Sequence, residues 1–196
     1  MNAPTESFYN KFSFFYPLVD VFLKPQKKVL FDEINLLPEG NLLEIGVGNG
    51  SHLRLYKKHR ITGIDTSVAM LQIARGKSNR YIKLLKMNGE ALQFDAGDFD
   101  YVVLSHVLAV ADNPRQLLDE VARVLKPQGL VFILNHFTPD NWLRYIDYAF
   151  GAISKHLHFR SVFRIGDIPA IGKFSLLKEI SFGPGAYFKL LIYRKK

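Results

Sequence analysis

The residues with the clearest chemical potential are the acid and the glycines of the stretch Glu44-Ile-Gly46-Val-Gly48-Asn-Gly50. Glycine is needed where a chain turns tightly or where a ligand must touch the backbone. The spacing therefore predicts a ligand-binding loop between a strand and a helix. It is not a dinucleotide fingerprint, because G-x-G-x-x-G would place a glycine at Ser51. It is not a P-loop either, because no Gly-Lys-Ser/Thr follows.

A second acid, Asp65, ends the next predicted strand, fifteen residues after Gly50. In open parallel sheets, ligands bind at the carboxyl ends of strands, where the strand order reverses. We expect Asp65 to lie on that rim beside the glycine loop. A carboxylate in this place can accept hydrogen bonds from both hydroxyls of a ribose. The alternative is that Asp65 caps the helix that begins near Ser67.

Strands and helices alternate about five times between residues 41 and 140, which predicts a mainly parallel sheet with helices on both faces. The predicted strands are Asn41–Ile45, Ile61–Ile64, Tyr81–Leu85, Tyr101–Leu104 and Leu130–Leu134. The predicted helices are Gly50–Lys58, Ser67–Arg75 with Ser67 as N-cap and Gly76 as its stop, and Asn113–Leu125 with Asn113 as N-cap. Lys126–Gly129 is predicted to be a turn.

The two ends of the chain differ from this alternating core. Residues 7–37 are predicted to be helical with an aromatic side, interrupted at Pro17. Near the other end we predict a helix over Trp142–Ile153 and an antiparallel hairpin of Phe174–Ile180 and Tyr187–Tyr193 that closes the sheet. We expect a single domain over 1–196, with an N-terminal lid or membrane-docking segment (1–38), a core (39–140), and a substrate-side helix and hairpin (141–196).

Composition supports a globular chain. The 196 residues are 48% apolar and 22% charged, which disfavours disorder. Cysteine is absent, so disulfides, a thiolate nucleophile and a Cys-ligated zinc site are excluded. Neither a secretory signal nor a run of roughly 20 apolar residues is recognisable, and we expect a cytoplasmic protein. The histidines form no metal-ligand constellation with carboxylates, so no metal is expected.

The positive charge is concentrated near the end of the chain. The net charge is +8, and residues 141–196 contribute +7 of it through 10 basic and 3 acidic residues. A basic region favours an anionic partner such as nucleic acid, an anionic membrane surface or an acidic ligand. The alternative is a cationic surface that has no partner.

Five stretches in order, LEIGVGNG, GIDTSVAMLQIAR, NGEALQF, FDYVVLSHVL and VLKPQGL, resemble the successive motifs of class I methyltransferases, which use S-adenosylmethionine. The resemblance covers residues 41–140. It implies a Rossmann-like fold with a mainly parallel seven-stranded sheet, an antiparallel C-terminal hairpin and helices on both faces. It also implies S-adenosylmethionine as cofactor and S-adenosylhomocysteine as product.

The resemblance further implies roles for residues at matching positions. Glu44 would face the ammonium of the cofactor, with Gly46, Gly48 and Gly50 around its methionine part, and Asp65 would take the ribose hydroxyls. The remaining roles are Thr66 and Met70 flanking the adenine, Asn88 and Gly89 meeting its edge, and Ser105 and His106 bordering the methyl group. The family usually has Asp at the position of Asn88, whose amide oxygen still accepts a hydrogen bond.

The aromatic N-terminal segment, Asn135-His136-Phe137 and the ending LLIYRKK are similar to bacterial phosphatidylethanolamine N-methyltransferases of the class I type. This resemblance implies a lipid substrate and an enzyme docked on the inner face of a membrane. The aromatic helix side and nearby cations would contact the headgroups, unless these aromatics are simply core. No protein partner is expected.

Methylation of an amine requires that the amine first lose its proton. His136 or His106 would accept it, or would only shape the pocket. Tyr9 and Tyr16 would close over the cofactor or hold the developing ammonium by cation–π contact. The basic run Lys155, His156, His158, Arg160 and Arg164 would hold the lipid phosphate or would simply be solvated. Two alternatives stay open: the same enzyme class acting on a small molecule, a quinone precursor or RNA, and a non-catalytic cofactor- or membrane-binding module. No recognised RNA-binding module accompanies the basic region.

Overall fold

The computed structural model describes residues 16–78, 82–138, 164–183, 185 and 187–196. Within them, seven strands form one sheet in the order β3-β2-β1-β4-β5-β7-β6. Strands β1 to β5 are parallel, and β7 lies antiparallel between β5 and β6. The mainly parallel seven-stranded sheet and its antiparallel C-terminal hairpin are therefore confirmed. The strands are β1 (Asn41–Ile45), β2 (Arg60–Asp65), β3 (Ile82–Lys86), β4 (Phe99–Ser105), β5 (Leu125–His136), β6 (Phe174–Phe182) and β7 (Phe188–Lys195).

The described helices are α1 (Tyr16–Leu36), α2 (Val68–Lys77) and α3 (Pro114–Val124). Short 3-10 turns cover Leu53–Leu55, Ile165–Asp167 and Pro169–Lys173. Both predicted N-caps are confirmed, because the side chain of Ser67 accepts from the Met70 N–H and that of Asn113 accepts from the Gln116 N–H. Each cap satisfies a backbone donor that has no partner within the helix, which is worth about 1 kcal/mol.

Alternate residues of each central strand pack against opposite helical layers. On one face Leu42, Val103 and Phe132 pack against side chains of α1 and α2. On the other face Leu43, Val102 and Ile133 pack against α3 and the 3-10 turns of residues 165–173. Burial of a large aliphatic or aromatic side chain contributes about 1.5–3 kcal/mol. The near-continuous apolar sequence of the central strands follows from this burial on both faces.

The predicted helix over Gly50–Lys58 is wrong, because only the 3-10 turn Leu53–Leu55 forms there. The backbone leaves the helical region at Tyr56, which is extended. A side chain from α1 takes over the hydrogen bonds that a helix would have made. Asn35 accepts from the Lys57 N–H through Oδ1 and donates to the Leu55 carbonyl through Nδ2, at 3.1 and 2.9 Å.

Two other boundaries also need correction. Gly76 does not stop α2, which continues to Lys77 and is capped where the Ser78 N–H bonds the Ala74 carbonyl. Pro17 lies in the first turn of α1, which begins at Tyr16, and its missing N–H is not needed there. The residues before Tyr16 lie outside the described residues, so the predicted interruption at Pro17 stays a prediction. The predicted turn over 126–129 is a bulge inside β5, looped out between the positions that pair with Phe99 and Tyr101.

The strand order reverses between β1 and β4, which defines the switch point of the sheet. The carboxyl ends of these two strands carry Ile45 and Ser105, so the loops that follow them flank one crevice. The predicted helix over Trp142–Ile153 lies outside the described residues. Among the helices of the described residues, none has the length and apolarity needed to cross a membrane.

Candidate active site

The glycine loop follows β1 at the switch point. Gly46, Gly48 and Gly50 all have left-handed backbones, with φ of +78°, +55° and +65°. The N–H of Gly46 bonds the Ile64 carbonyl of β2 at 2.8 Å, which fixes the start of the loop. A Cβ on Gly46 would overlap the side chain of Val107, whereas a Cβ on Gly48 would meet nothing within 4 Å. The loop is therefore closed towards the protein at Gly46 and open at Gly48, as a ligand cradle requires.

Asp65 ends β2 beside this loop. Its Oδ2 accepts from the Gly48 N–H at 2.8 Å, and its Oδ1 accepts from the Ser67 N–H at 2.9 Å. Asp65 thus stands at the rim, as predicted. It does not cap α2, because its bond goes to the N–H of Ser67, which is itself the N-cap. Burial raises the pKa of this carboxyl, against the opposing effect of the hydrogen bonds from Ser67 and Gly48.

Glu44 is the most buried acid of the described residues, with 1% of its surface exposed. It lies on the α1 side of β1. Oε1 is 2.6 Å from Nε2 of His52, and Oε2 accepts from the Tyr56 hydroxyl at 2.9 Å. The negative charge of Glu44 also raises the pKa of Asp65, so the two carboxylates are close enough to interact electrostatically. A rim with two acids suits a cationic ligand.

Ser105 ends β4 on the same face of the sheet as Glu44. Val103 pairs with Glu44 in register, and side chains two residues apart on a strand share a face. The Ser105 hydroxyl is buried and has no hydrogen-bond partner among the described residues. A buried hydroxyl without a partner carries a free-energy cost, and a bound polar ligand would relieve it.

The loop after β3 holds the residues predicted at the adenine. Asn88 Oδ1 accepts from the Glu90 N–H at 3.0 Å, so its amide oxygen is already engaged by its own turn. Gly89 is buried, and a Cβ there would lie 2.7 Å from Ile45 Cγ2 and 2.9 Å from Leu117 Cδ1. The need for glycine at this position therefore arises from packing. Thr66 and Met70 are half-buried at the start of the α2 region, next to Asp65.

The two candidate bases share an aromatic cluster. His106, at φ +59°, follows β4, and its ring lies edge-on to Phe188 with centroids 6.0 Å apart. His136 ends β5, is buried, and stacks on Tyr187 at 5.7 Å. Tyr187 and Phe188 contact each other at 5.3 Å. Phe188 at the start of β7 and Tyr187 just before it thus contact the imidazoles that follow β4 and end β5.

Four residues of this site were missed by sequence reasoning: His52, Tyr56, Tyr187 and Phe188. The i, i+4 spacing of His52 and Tyr56 gave no usable signal, because the segment that carries them is not an α-helix. Tyr187 and Phe188 could be found only through the pairing of β7 with β5. Of the predicted site residues, Tyr9 and the basic residues 155, 156, 158 and 160 lie outside the described residues, as does the side chain of Tyr16.

Known methyltransferases resemble this chain in sequence and in fold. Residues 43–133 match the family described as "Methyltransferase domain". A phosphatidylethanolamine N-methyltransferase of Cereibacter sphaeroides is 33% identical over 165 residues, covering 80% of this chain and 81% of that protein. The thiol S-methyltransferase TMT1B of Rattus norvegicus is 31% identical over 125 residues, covering 58% of this chain and 51% of that protein.

A solved structure of a methyltransferase candidate from Bacillus halodurans C-125 superposes with a TM-score of 0.73 at 15% identity, covering 85% of this chain and 97% of that one. That level of identity establishes the shared fold alone. Together with the sequence matches, it shows that the chain belongs to the class I S-adenosylmethionine-dependent methyltransferases. The cofactor of this class fits the rim. Within the described part of the chain, Gly48 leaves open space, the Ser105 hydroxyl has no hydrogen-bond partner, and Glu44 and Asp65 suit a cation.

Proposed function

We propose that the chain methylates the amine of phosphatidylethanolamine at a membrane surface. The observation that carries this proposal is the extent of the similarity to the Cereibacter sphaeroides enzyme. It covers 80% of this chain, well beyond the methyltransferase domain of residues 43–133, which is common to enzymes with many acceptors. Similarity outside the cofactor-binding core supports a shared acceptor.

The proposed cofactor site runs along the carboxyl ends of β2, β1 and β4. Glu44 attracts the ammonium, Gly48 and its neighbouring glycines pass close to the methionine part, and Asp65 accepts from the ribose hydroxyls. The adenine lies over the loop after β3. The further residues proposed there are Thr66, Met70, Asn88, Gly89 and Ser105. When bound, S-adenosylmethionine supplies a methyl group already activated by the positive sulfonium.

The protein contributes positioning and a route for the proton. Holding two reactants in line removes much of the entropic barrier. The ethanolamine headgroup is mostly protonated near neutral pH, so its nitrogen must lose a proton before it attacks. His136 is the proposed acceptor, directly or through water, because it is buried at the end of β5 and its ring is held by Tyr187. General-base assistance of this kind is worth about 10²–10⁴-fold in rate.

The membrane part of the proposal rests on charge. Residues 141–196 carry 10 basic and 3 acidic groups, and cations near an anionic bilayer contribute about 1 kcal/mol each. The N-terminal segment with Tyr9 and Tyr16 is proposed to lie at the headgroup level. The enzyme would then be cytoplasmic and bound to the inner face of the membrane without spanning it.

The direct test is incubation with methyl-labelled S-adenosylmethionine and vesicles that contain phosphatidylethanolamine. We expect labelled mono-, di- or trimethylated lipid, and none from vesicles of phosphatidylglycerol alone. In His136→Gln the rate should fall about 10²-fold or more, while the affinity for S-adenosylhomocysteine stays unchanged. His59→Gln is the matched control, because His59 is equally buried but bonds the Ile34 carbonyl away from the rim. Label in another acceptor but never in lipid would contradict the proposal.

A second candidate is methylation of a small-molecule thiol, which the similarity to the rat enzyme favours over part of the chain. The same assay discriminates the two when a small aliphatic thiol replaces the vesicles. Transfer to the thiol with no transfer to lipid would establish this second candidate.

A further inference from the structure

The buried carboxylate of Glu44 is held by two donors that come from one segment. With 1% of its surface exposed, Glu44 has almost no access to water. His52 Nε2 reaches Oε1 at 2.6 Å, and the Tyr56 hydroxyl donates to Oε2 at 2.9 Å. Each carboxylate oxygen therefore has its own side-chain partner.

This arrangement is braced from α1. Phe31 is buried, and its ring packs edge-on against Tyr56 at 4.8 Å and tilted against His52 at 5.7 Å. Asn35, one turn further along α1, bonds the Leu55 carbonyl and the Lys57 N–H on either side of Tyr56. These contacts from α1 thus hold the non-helical segment of residues 52–57 in the conformation in which His52 and Tyr56 both reach Glu44.

A buried carboxylate needs hydrogen-bond donors in place of the water that it has lost. Burial raises the pKa of Tyr56 well above its usual value, with a further contribution from the charge of Glu44, so the phenol remains protonated and donates. A carboxylate offers about four acceptor positions. Among the described residues, His52 and Tyr56 take two of them, which leaves acceptor positions that a bound cation could use.

We infer that His52 and Tyr56 are positioning residues that hold the Glu44 carboxylate in one orientation, and so set the affinity for the ammonium-bearing end of the cofactor. They act through Glu44 and not on the adenosine end. This inference rests on the proposed placement of that ammonium at Glu44. It follows that substitution of either residue should lower the binding affinity for ligands that carry the ammonium and leave the affinity for ligands that lack it unchanged.

The experiment is calorimetric titration of the full chain with S-adenosylhomocysteine and with 5′-methylthioadenosine, which has no amino-acid part. For Tyr56→Phe and His52→Leu we expect about ten-fold or greater loss of affinity for S-adenosylhomocysteine, because a hydrogen bond to a charged group is removed. Affinity for 5′-methylthioadenosine should change by less than about two-fold. His52→Gln, which retains an N–H donor, should restore part of the loss.

Tyr101→Phe is the matched control. Tyr101 is also a buried tyrosine, but its hydroxyl donates to the Pro38 carbonyl away from Glu44. Removing the Tyr101 hydroxyl should leave the ratio of the affinities for S-adenosylhomocysteine and 5′-methylthioadenosine unchanged. Melting of each variant without ligand reports whether it is folded.

Two results would overturn the inference: equal loss for both ligands, which indicates a general structural role, or unchanged or tighter binding of S-adenosylhomocysteine in both variants. The Glu44→Gln variant distinguishes a wrong positioning role for His52 and Tyr56 from a wrong placement of the cofactor ammonium at Glu44. If Glu44→Gln discriminates between the ligands while the His52 and Tyr56 variants do not, only the positioning role is wrong. If Glu44→Gln has no effect, the ammonium lies elsewhere and both claims are wrong.

Discussion

Replacing Gly48 with alanine separates ligand binding from folding more cleanly than any other single change in the glycine loop. Gly48 has φ of +55°, and an added Cβ would meet no atom of the described residues within 4 Å. The cost to stability is therefore the left-handed backbone alone, about 1–2 kcal/mol. For a chain of this size that corresponds to a fall of roughly 2–8 °C in melting temperature. The added methyl projects into the space where we place the methionine part of the cofactor.

We expect the affinity of Gly48→Ala for S-adenosylhomocysteine to fall about ten-fold or more, since even modest overlap in a close-fitting site costs about 1–3 kcal/mol. The control is Gly97→Ala, because Gly97 has φ of +77° and is equally free of neighbours within 4 Å. It lies before β4, and its N–H bonds the Arg123 carbonyl at the end of α3. Both variants should lose similar stability in thermal melts, and only Gly48→Ala should lose affinity in calorimetry. Equal affinities in the two variants would refute the placement of the cofactor at this loop.

Three further outcomes follow from the structure. First, burial raises the pKa of Asp65, so affinity for S-adenosylhomocysteine should begin to fall on acidification at a pH above the ordinary Asp pKa of about 3.9. Calorimetry at a series of pH values measures this. An affinity that does not change between neutral pH and pH 4 would contradict it. Second, Arg123→Met should lower the urea-derived stability by about 1–3 kcal/mol, because its guanidinium bonds Glu120 and the carbonyls of residues 92 and 94; an unchanged midpoint would contradict it. Third, Gly89→Ala should cost about 1–3 kcal/mol by overpacking the core, measured as a lower melting temperature, and an unchanged melting temperature would show that the site relaxes.

The parts of the fold that sequence predicted well depend on local patterns. The apolar runs that became β1, β2 and β4 are buried on both faces, so their composition alone marks them as strands. Asn113 and Ser67 act as helix caps through bonds to residues three positions later, which is also local information. The reversal of strand order then follows from the usual connection of such units.

The parts that sequence missed depend on contacts between distant residues. No local signal in residues 50–58 shows that Asn35 will take the hydrogen bonds of a helix there. The donors of Glu44 and the aromatic partners of His136 likewise depend on how α1 and β7 pack against the sheet. Propensity favoured a helix after the glycine loop, and the tertiary contacts of one buried acid and one asparagine overrode it.

Asp65 illustrates why affinity alone is a poor test of a ligand contact in this site. Its side chain bonds the Gly48 N–H and the Ser67 N–H, and its carbonyl accepts from the Met87 N–H after β3. One residue therefore joins the loops that follow β1 and β3 to the start of the α2 region. Removing its carboxylate would lower the affinity for the cofactor whether or not the carboxylate contacts a ribose, because the rim would lose two of its hydrogen bonds. A Cβ added at Gly48 would meet nothing within 4 Å among the described residues, so a loss of affinity in Gly48→Ala reports on what occupies the space above the loop.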